Sequence, residues 1–250
     1  MYMTHTSCLS RVSVVSKKNK RNITMFCAGG TIGSARKPFV RTGYQTRTMM
    51  PRPFAKSLPN QSGCNLLKKI WVIQFFQDIE TIALHFIHHM IPPGVQKNLI
   101  LNAVNMSTSL IPPDLRICET FFTQLSLIGD MSFQSGNQEV IPHVDLDDVF
   151  TVIIHFGAPT IGGELLIYNG DSKNNVGQLM KTNNFVNGNI HMGCFTDVVH
   201  AVSHWHGIRG SFSLNVKRNM LDFFKSSENR CYYKTFQELN YPSTEHFTIN

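Results

Sequence analysis

From residue 120 onward the chain breaks into short apolar runs closed by Gly, Asn, Asp or Pro, and this punctuation constrains the fold more than any other feature. The runs are TFFTQLSLIG (120–129), EVIPHVDL (139–146), VFTVIIHFG (149–157), GELLIYNG (163–170), GNIHMGCF (188–195), TDVVHAVSHW (196–205) and RGSFSLNVK (209–217). They have strand length and many β-branched and aromatic residues. They do not alternate with helices, as a parallel sheet would require. The fold class is therefore α+β, mainly β: a sandwich or cupin-like jelly roll with helices N-terminal to it and packed on one side.

The helices come first in the chain. Between 66 and 91, Phe75, Phe76, Ile79, Ile82, Ala83, Phe86 and Met90 recur at helical spacing. Pro92-Pro93-Gly94 stops that run. A second helical stretch, about 95–105, offers Val95, Leu99 and Val104 to the same layer. His85 and His89 are four apart in the first helix, with His88 beside them. Without an HExxH glutamate they read as surface histidines. No apolar run approaches the length of a membrane span, and the N-terminus lacks the apolar core of a secretory signal. The six cysteines form no CxxC pair. That points away from a zinc ribbon or disulfide framework and toward a reducing intracellular compartment, cytoplasm or nucleus.

Charge divides the chain. Residues 1–77 hold 13 Lys/Arg and no acid, while residues 78–250 hold 10 Lys/Arg against 16 acids, a net of −6. Residues 1–62 read as a basic, mostly disordered arm, suited to nucleic acid or an acidic surface, to an organelle transit peptide, or to plain solvation. The domain proper is expected over 63–235, with helices about 66–105 and a jelly roll about 120–217; residues 236–250 form a tail. Within the arm, Gly29-Gly30-Thr31-Ile32 resembles the nucleophile motif of asparaginases. That family needs a parallel α/β sheet and a second polar constellation, and neither is found downstream.

His143 and Asp145 are two apart on a strand, so both side chains point the same way. His200 lies downstream. Two histidines and one carboxylate make the facial triad that holds non-haem Fe(II) and leaves positions open for a chelating co-substrate and O2. Arg209 follows nine residues after His200, and Ser211 shares its face. A guanidinium grips a carboxylate bidentately, and a hydroxyl adds a donor. Arg209 and Ser211 are thus candidates for anchoring 2-oxoglutarate.

At this point the sequence resembles the 2-oxoglutarate/Fe(II)-dependent dioxygenases. The matching residues are His143-Val144-Asp145, Thr151, Gly162-Gly163-Glu164-Leu165, His200 with Val202, and Gly207-Ile208-Arg209-Gly210-Ser211, over roughly 120–224. The resemblance implies a double-stranded β-helix with the site in its mouth. It implies iron ligation by His143, Asp145 and His200, and 2-oxoglutarate binding by Arg209 and Ser211. It also implies O2-dependent hydroxylation of a C–H bond with release of succinate and CO2. Family members often carry a tyrosine in a Y-x-x-G setting before the HxD motif. The corresponding stretch here is Ser126-Leu127-Ile128-Gly129, so Ser126 or Thr123 stands in for the phenol.

His191, His204 and His206 compete with His200 for the distal ligand. His204 shares the parity of His200, and His206 crowds Arg209. His155 reads as a hydrogen-bonded core histidine, and Trp205 either covers the site or packs. The GGEL segment is reminiscent of the prolyl-hydroxylase-like branch, which ranks a protein side chain first as substrate. A nucleic-acid base reached through the basic arm comes second, and a small metabolite third. A non-catalytic jelly-roll binding protein is the competing class.

Overall fold

The computed structural model describes residues 24–32, 38–44, 70–130, 138–171, 176–182, 184–196 and 198–231. Helix α1 (Ile70–His85) runs into a π-helical turn (Phe86–Met90). After Pro92-Pro93-Gly94 comes α2 (Val95–Leu110). The inward face of α1 is Val72, Phe76, Ile79 and Ala83, continued by Ile87. α2 buries Ile100, Ala103, Val104 and Ser107. The expected apolar faces are thus displaced by about one position. Ile82, Phe86 and Met90 are exposed, as are Val95 and Leu99. Residues 70–90 are also long and apolar enough to cross a membrane, against the expectation that no segment is. Five inward side chains tie them to the core, and the face they leave outside carries Asp78, His85, His88 and His89.

Among the described residues nine strands form one sheet: β1 (Thr24–Ile32), β2 (Pro38–Tyr44), β3 (Gln124–Asp130), β4 (Gln138–His143), β5 (Asp148–Gly162), β6 (Leu165–Asp171), β7 (Val176–Lys181), β8 (Ile190–Gly193) and β9 (His200–Lys217). A short helix α3 (Arg218–Lys225) follows. The main path is β2-β1-β3-β9-β5-β8, with β4 and β6 on β9 and β7 on β6. Every pairing among the described residues is antiparallel. This removes the parallel sheet that an asparaginase-like reading of Thr31 needs.

Two expectations are corrected. Residues 24–32 and 38–44, assigned to a disordered arm, are a hairpin whose β1 pairs with β3. The domain therefore begins before residue 63, and the rest of 1–62 and the tail 236–250 lie outside the described residues. The hairpin is selected by the free edge of β3, a tertiary partner that local patterning does not show. At Gly29 (φ +105°) a Cβ would lie 2.3 Å from the Thr123 carbonyl, so the chain closes on β3 only with glycine there. Second, the runs at 196–205 and 209–217 are one strand, β9, continuous through Gly207 at φ +91°.

β9 organises the sheet. Its first residues pair with β4 on one side and β6 on the other; the remainder pairs with β3 and β5. One face of this second half is apolar. Leu125, Phe150, Val152, Ile154, Leu214 and Val216 pack with the three helices in the main core. The opposite face is buried as well, yet polar: Gln124, Ser126, Thr151, His155, Arg209, Ser211 and Asn215. The register sets them side by side, Thr151 opposite Asn215 and His155 opposite Ser211. A small second cluster, Ile153, Leu165 and Phe195, lies on this inner side. Buried polar groups cost free energy unless they are bonded or meet a ligand. The inner face is therefore where a function resides.

Candidate metal centre and anchor

His143 ends β4 and lies opposite His200, the first residue of β9. Asp145 follows in the turn to β5, held by its N–H donating to the Phe195 carbonyl (3.1 Å) and its carbonyl accepting from the Asp148 N–H (3.0 Å). The ligand atoms of His143, Asp145 and His200 lie within 4.8 Å of one another. His143 Nε2 is 3.6 Å from Asp145 Oδ1, and His200 Nε2 is 3.4 Å from Oδ2. His143 and Asp145 are half-buried and His200 is buried. The end of β4, the turn after it and the start of β9 thus bring together the three residues the sequence singled out; Asp145, expected on the strand, lies in the turn.

His200 is oriented from behind. Its Nδ1 lies 3.1 Å from the Val198 carbonyl, which can only accept, so Nδ1 carries a proton and Nε2, which faces Asp145, is the nitrogen that would face a metal. The Phe195 ring stands edge-on to it at 4.7 Å. Burial alone would raise the Asp145 pKa, but the hydrogen bond to His200 and the charges of His200, His143 and Lys217 together hold it below the ordinary value. Burial would lower the pKa of His200, and its bonds to Asp145 and the Val198 carbonyl lift it instead. The Asp145 carboxylate and His200 thus stabilise each other.

The other histidines fall elsewhere. His204 is exposed, its ring 4.9 Å from that of His206. His191 bonds to His155 at 3.0 Å. None of the three joins His143 and Asp145.

Arg209 is 1 % exposed. Its Nε donates to the Gly163 carbonyl (3.2 Å) and its Nη2 lies 2.9 Å from His155 Nδ1. Its guanidinium carbon stands 5.4 Å over the Trp205 ring, so Trp205 packs under the guanidinium. No carboxylate among the described residues pairs with it. Burial pushes its pKa down to about 10. A buried cation without an anion is unfavourable, and the inner face also holds Thr151 Oγ1 and Asn215 Oδ1 without hydrogen-bond partners. Ser211 and Ser126 are buried on this face. Thr123 is not available as a substitute for the missing phenol: its hydroxyl donates to the Asn215 carbonyl and accepts from the Lys217 N–H.

Glu164 of the GGEL segment has a structural task. Its carboxylate accepts from Ser203 and Lys181, and Ser203 Oγ accepts from the Gly163 and Glu164 N–H groups. This clamps the glycine turn against Arg209, where a Cβ on Gly163 would lie 3.2 Å from Arg209 Cγ. His155 as a partner of Arg209 was legible only through parity: it lies two residues from Ile153 and four from Thr151, on the polar face.

No protein-family model and no curated protein matches the sequence. Solved structures similar to this chain include these three. NgTET1 in complex with 5mC DNA aligns at a TM-score of 0.50 with 13% identity, covering 92% of this chain and 75% of that one. A 2OG-Fe(II) oxygenase family oxidoreductase from Burkholderia pseudomallei aligns at 0.39 with 14% identity, covering 80% and 70%. OsALKBH1 aligns at 0.36 with 11% identity, covering 77% and 78%. At these identities the likeness is one of fold: this chain and NgTET1 share an overall architecture.

Proposed function

We propose that this protein is a 2-oxoglutarate- and Fe(II)-dependent dioxygenase that hydroxylates a C–H bond of its substrate and releases succinate and CO2. The observation that carries the reading is the convergence of His143, Asp145 and His200 at one end of β9, on the strand that also bears the buried Arg209, a cation that pairs with no carboxylate among the described residues. The pairing pattern supports a double-stranded β-helix. The second half of β9 joins β3, β5 and β8 in one limb, and its first residues join β4, β6 and β7 in the other.

The donor set fits Fe(II): two imidazole Nε2 atoms and one carboxylate. When bound, the metal supplies the O2 chemistry that couples decarboxylation of 2-oxoglutarate to hydroxylation. The chain's own residues do the positioning. Val198 fixes the His200 tautomer. Arg209 offers its remaining N–H groups to the distal carboxylate, and Ser211 and Ser126 add hydroxyls from the same face. Phe195 shields one side of His200 from water.

An anaerobic titration with Fe(II) and 2-oxoglutarate tests this through the visible charge-transfer band of the chelate. The band should appear in the wild type and vanish in His200→Ala and Arg209→Ala, the latter retaining metal. A folded wild type with no band would leave a non-catalytic binding protein as the better account.

For the substrate, a protein side chain is the reading that the GGEL resemblance supports. A nucleic-acid base is the second, favoured by the 13 uncompensated Lys/Arg of residues 1–77 and by the DNA-bound neighbour. Deleting residues 1–62 would remove β1 and β2. Neutralising Lys17, Lys18, Lys20 and Arg21 to Gln is the cleaner experiment. If these residues bind phosphates, the slope of log K against log salt falls by about 0.9 for each phosphate that is no longer neutralised. An unchanged slope removes that reading.

A further inference from the structure

Arg209 does not end its hydrogen bonding at His155. His155 Nε2 lies 3.0 Å from His191 Nδ1, His191 Nε2 lies 3.1 Å from Thr182 Oγ1, and Thr182 Oγ1 donates to the Leu165 carbonyl at 3.1 Å. The chain therefore runs from a buried guanidinium through two imidazoles and a hydroxyl to a backbone carbonyl. Its two ends are unambiguous. A guanidinium only donates, and a carbonyl only accepts.

These ends fix every proton between them. His155 Nδ1 must accept from Arg209, so a neutral His155 carries its proton on Nε2 and donates it to His191. His191 Nδ1 must then accept, so His191 is also protonated on Nε2 and donates to Thr182. The Thr182 hydroxyl, having accepted, donates to Leu165. The reverse direction is impossible, because it would leave His155 with no proton on either nitrogen. The backbone holds the chain in place: the His155 N–H donates to the Asn189 carbonyl and the His155 carbonyl accepts from the Gly188 N–H. The Phe185 ring stands 6.3 Å from that of His155.

We infer that His155, His191 and Thr182 form a one-way hydrogen-bond relay that sets the plane of the Arg209 guanidinium, making the two histidines positioning residues for the carboxylate that Arg209 receives. The inference rests on the dioxygenase reading for the identity of that carboxylate, but the relay itself is a property of the ligand-free chain. Nε of Arg209 is used by Gly163 and one Nη2 hydrogen by His155. The Nη1 pair and the other Nη2 hydrogen remain, with no partner among the described residues, and only a fixed plane presents them to a carboxylate in the fork geometry of a bidentate pair. His155 acts through Arg209 and is not itself placed against the substrate.

The test has two independent parts on the full chain. The first is long-range 1H–15N correlation of the imidazoles in the ligand-free protein at pH 7. Both His155 and His191 should appear as the Nε2–H tautomer with an unprotonated Nδ1; a proton on Nδ1 of either overturns the relay. The second is the dissociation constant of 2-oxoglutarate, measured by calorimetry with Mn(II) bound, for wild type, His155→Gln and His155→Phe. Gln keeps an acceptor for Arg209 and a donor for His191, and should bind within about threefold of wild type. Phe keeps the ring volume and removes both, and should bind about 10- to 100-fold more weakly, the range for a lost hydrogen bond to a charged group, with Mn(II) affinity unchanged. Equal affinities in Phe and wild type overturn the positioning role, as does loss in Gln equal to loss in Phe. If wild type binds Mn(II) but no 2-oxoglutarate, the dioxygenase reading and the role of the relay both fall, while the tautomer spectrum still reports whether the hydrogen-bond chain exists.

Discussion

Replacing Arg209 by Met separates a functional cation from a structural one. Arg209 is fully buried and its pKa is pushed down to about 10 by burial. At every pH below that value the folded state carries the charge at a cost of roughly 3 kcal/mol relative to water. Met removes that cost but strands the Gly163 carbonyl and His155 Nδ1, at about 1–2 kcal/mol each. The two effects nearly offset, so the ligand-free variant should match wild-type stability to within about 2 kcal/mol. Ligand reverses the comparison. With Mn(II) present and 2-oxoglutarate at a hundred times its Kd, wild type gains about 2.7 kcal/mol, or roughly 5–10 °C in Tm for a domain of this size. Arg209→Met should gain nothing beyond the metal contribution. Differential scanning fluorimetry of both proteins, apo, with Mn(II), and with Mn(II) plus 2-oxoglutarate, reads all of this. A variant that keeps the 2-oxoglutarate increment refutes the anchor. A ligand-free variant destabilised by more than about 4 kcal/mol shows that Arg209 serves the fold.

Gly163→Ala places a Cβ at φ +84°, 3.2 Å from Arg209 Cγ; it should cost about 1–2 kcal/mol of stability and weaken 2-oxoglutarate severalfold while sparing metal, as calorimetry would show. Phe150→Ala, in the helix-side core and fully buried, should cost about 3–5 kcal/mol in urea melts without changing the 2-oxoglutarate affinity of the folded fraction. His155 supplies a pH signature. Burial first, then the charges of Arg209 and His191, hold its pKa at about 3, so between pH 6.5 and 3 the unfolded chain binds a proton that the folded chain does not. Stability is therefore lost as pH falls through that window, by an amount on the order of 3–5 kcal/mol. Asp148, raised to about 6 chiefly by burial, acts with the opposite sign between about pH 6 and 4. The quantity to measure is the difference between wild type and His155→Gln, which should shrink as pH falls from 7 to 4; a pH-independent difference would show that His155 titrates normally.

The grouping of these residues was legible because short spacings are local information. The HxD spacing keeps Asp145 beside His143 even though β4 ends at His143 and Asp145 lies in the turn, and a strand period of two groups Arg209 with Ser211. Other features depend on partners far away in the chain. β1 and β2 exist as strands because β3 offers an edge, and nothing in TMFCAGGTI or PFVRTGY announces that edge. β7 escapes detection for a related reason: VGQLMK lacks the alternation of a strand with one wet face. The helix face is ambiguous because Ile82, Phe86 and Met90 form as regular an apolar stripe as Val72, Phe76, Ile79 and Ala83. Periodicity alone cannot choose between two stripes, and packing against the sheet decides. The GGEL glutamate looks like a family marker for a substrate class, whereas its carboxylate ties Ser203 and Lys181 to the glycine turn.

The inner face explains why one strand can carry both halves of the site. His200 and Arg209 are nine residues apart, which in a flat strand is roughly 30 Å, far longer than a five-carbon diacid. β9 is irregular at Gly207. There its φ is +91° and the opposite strand shifts register between Pro159 and Ile161; around this point β6 has ended at Val202 and β4 at Trp205, β5 has begun at Trp205, and β3 begins at Arg209. A side chain at Gly207 would lie 3.1 Å from the Ala158 carbonyl. This irregularity depends on glycine and on the bulge beside it. On the proposed dioxygenase reading, a chelating co-substrate reaches from the His143, Asp145 and His200 cluster to Arg209, so its length takes part in selecting it, and the relay behind Arg209 holds the far end of that measure in place.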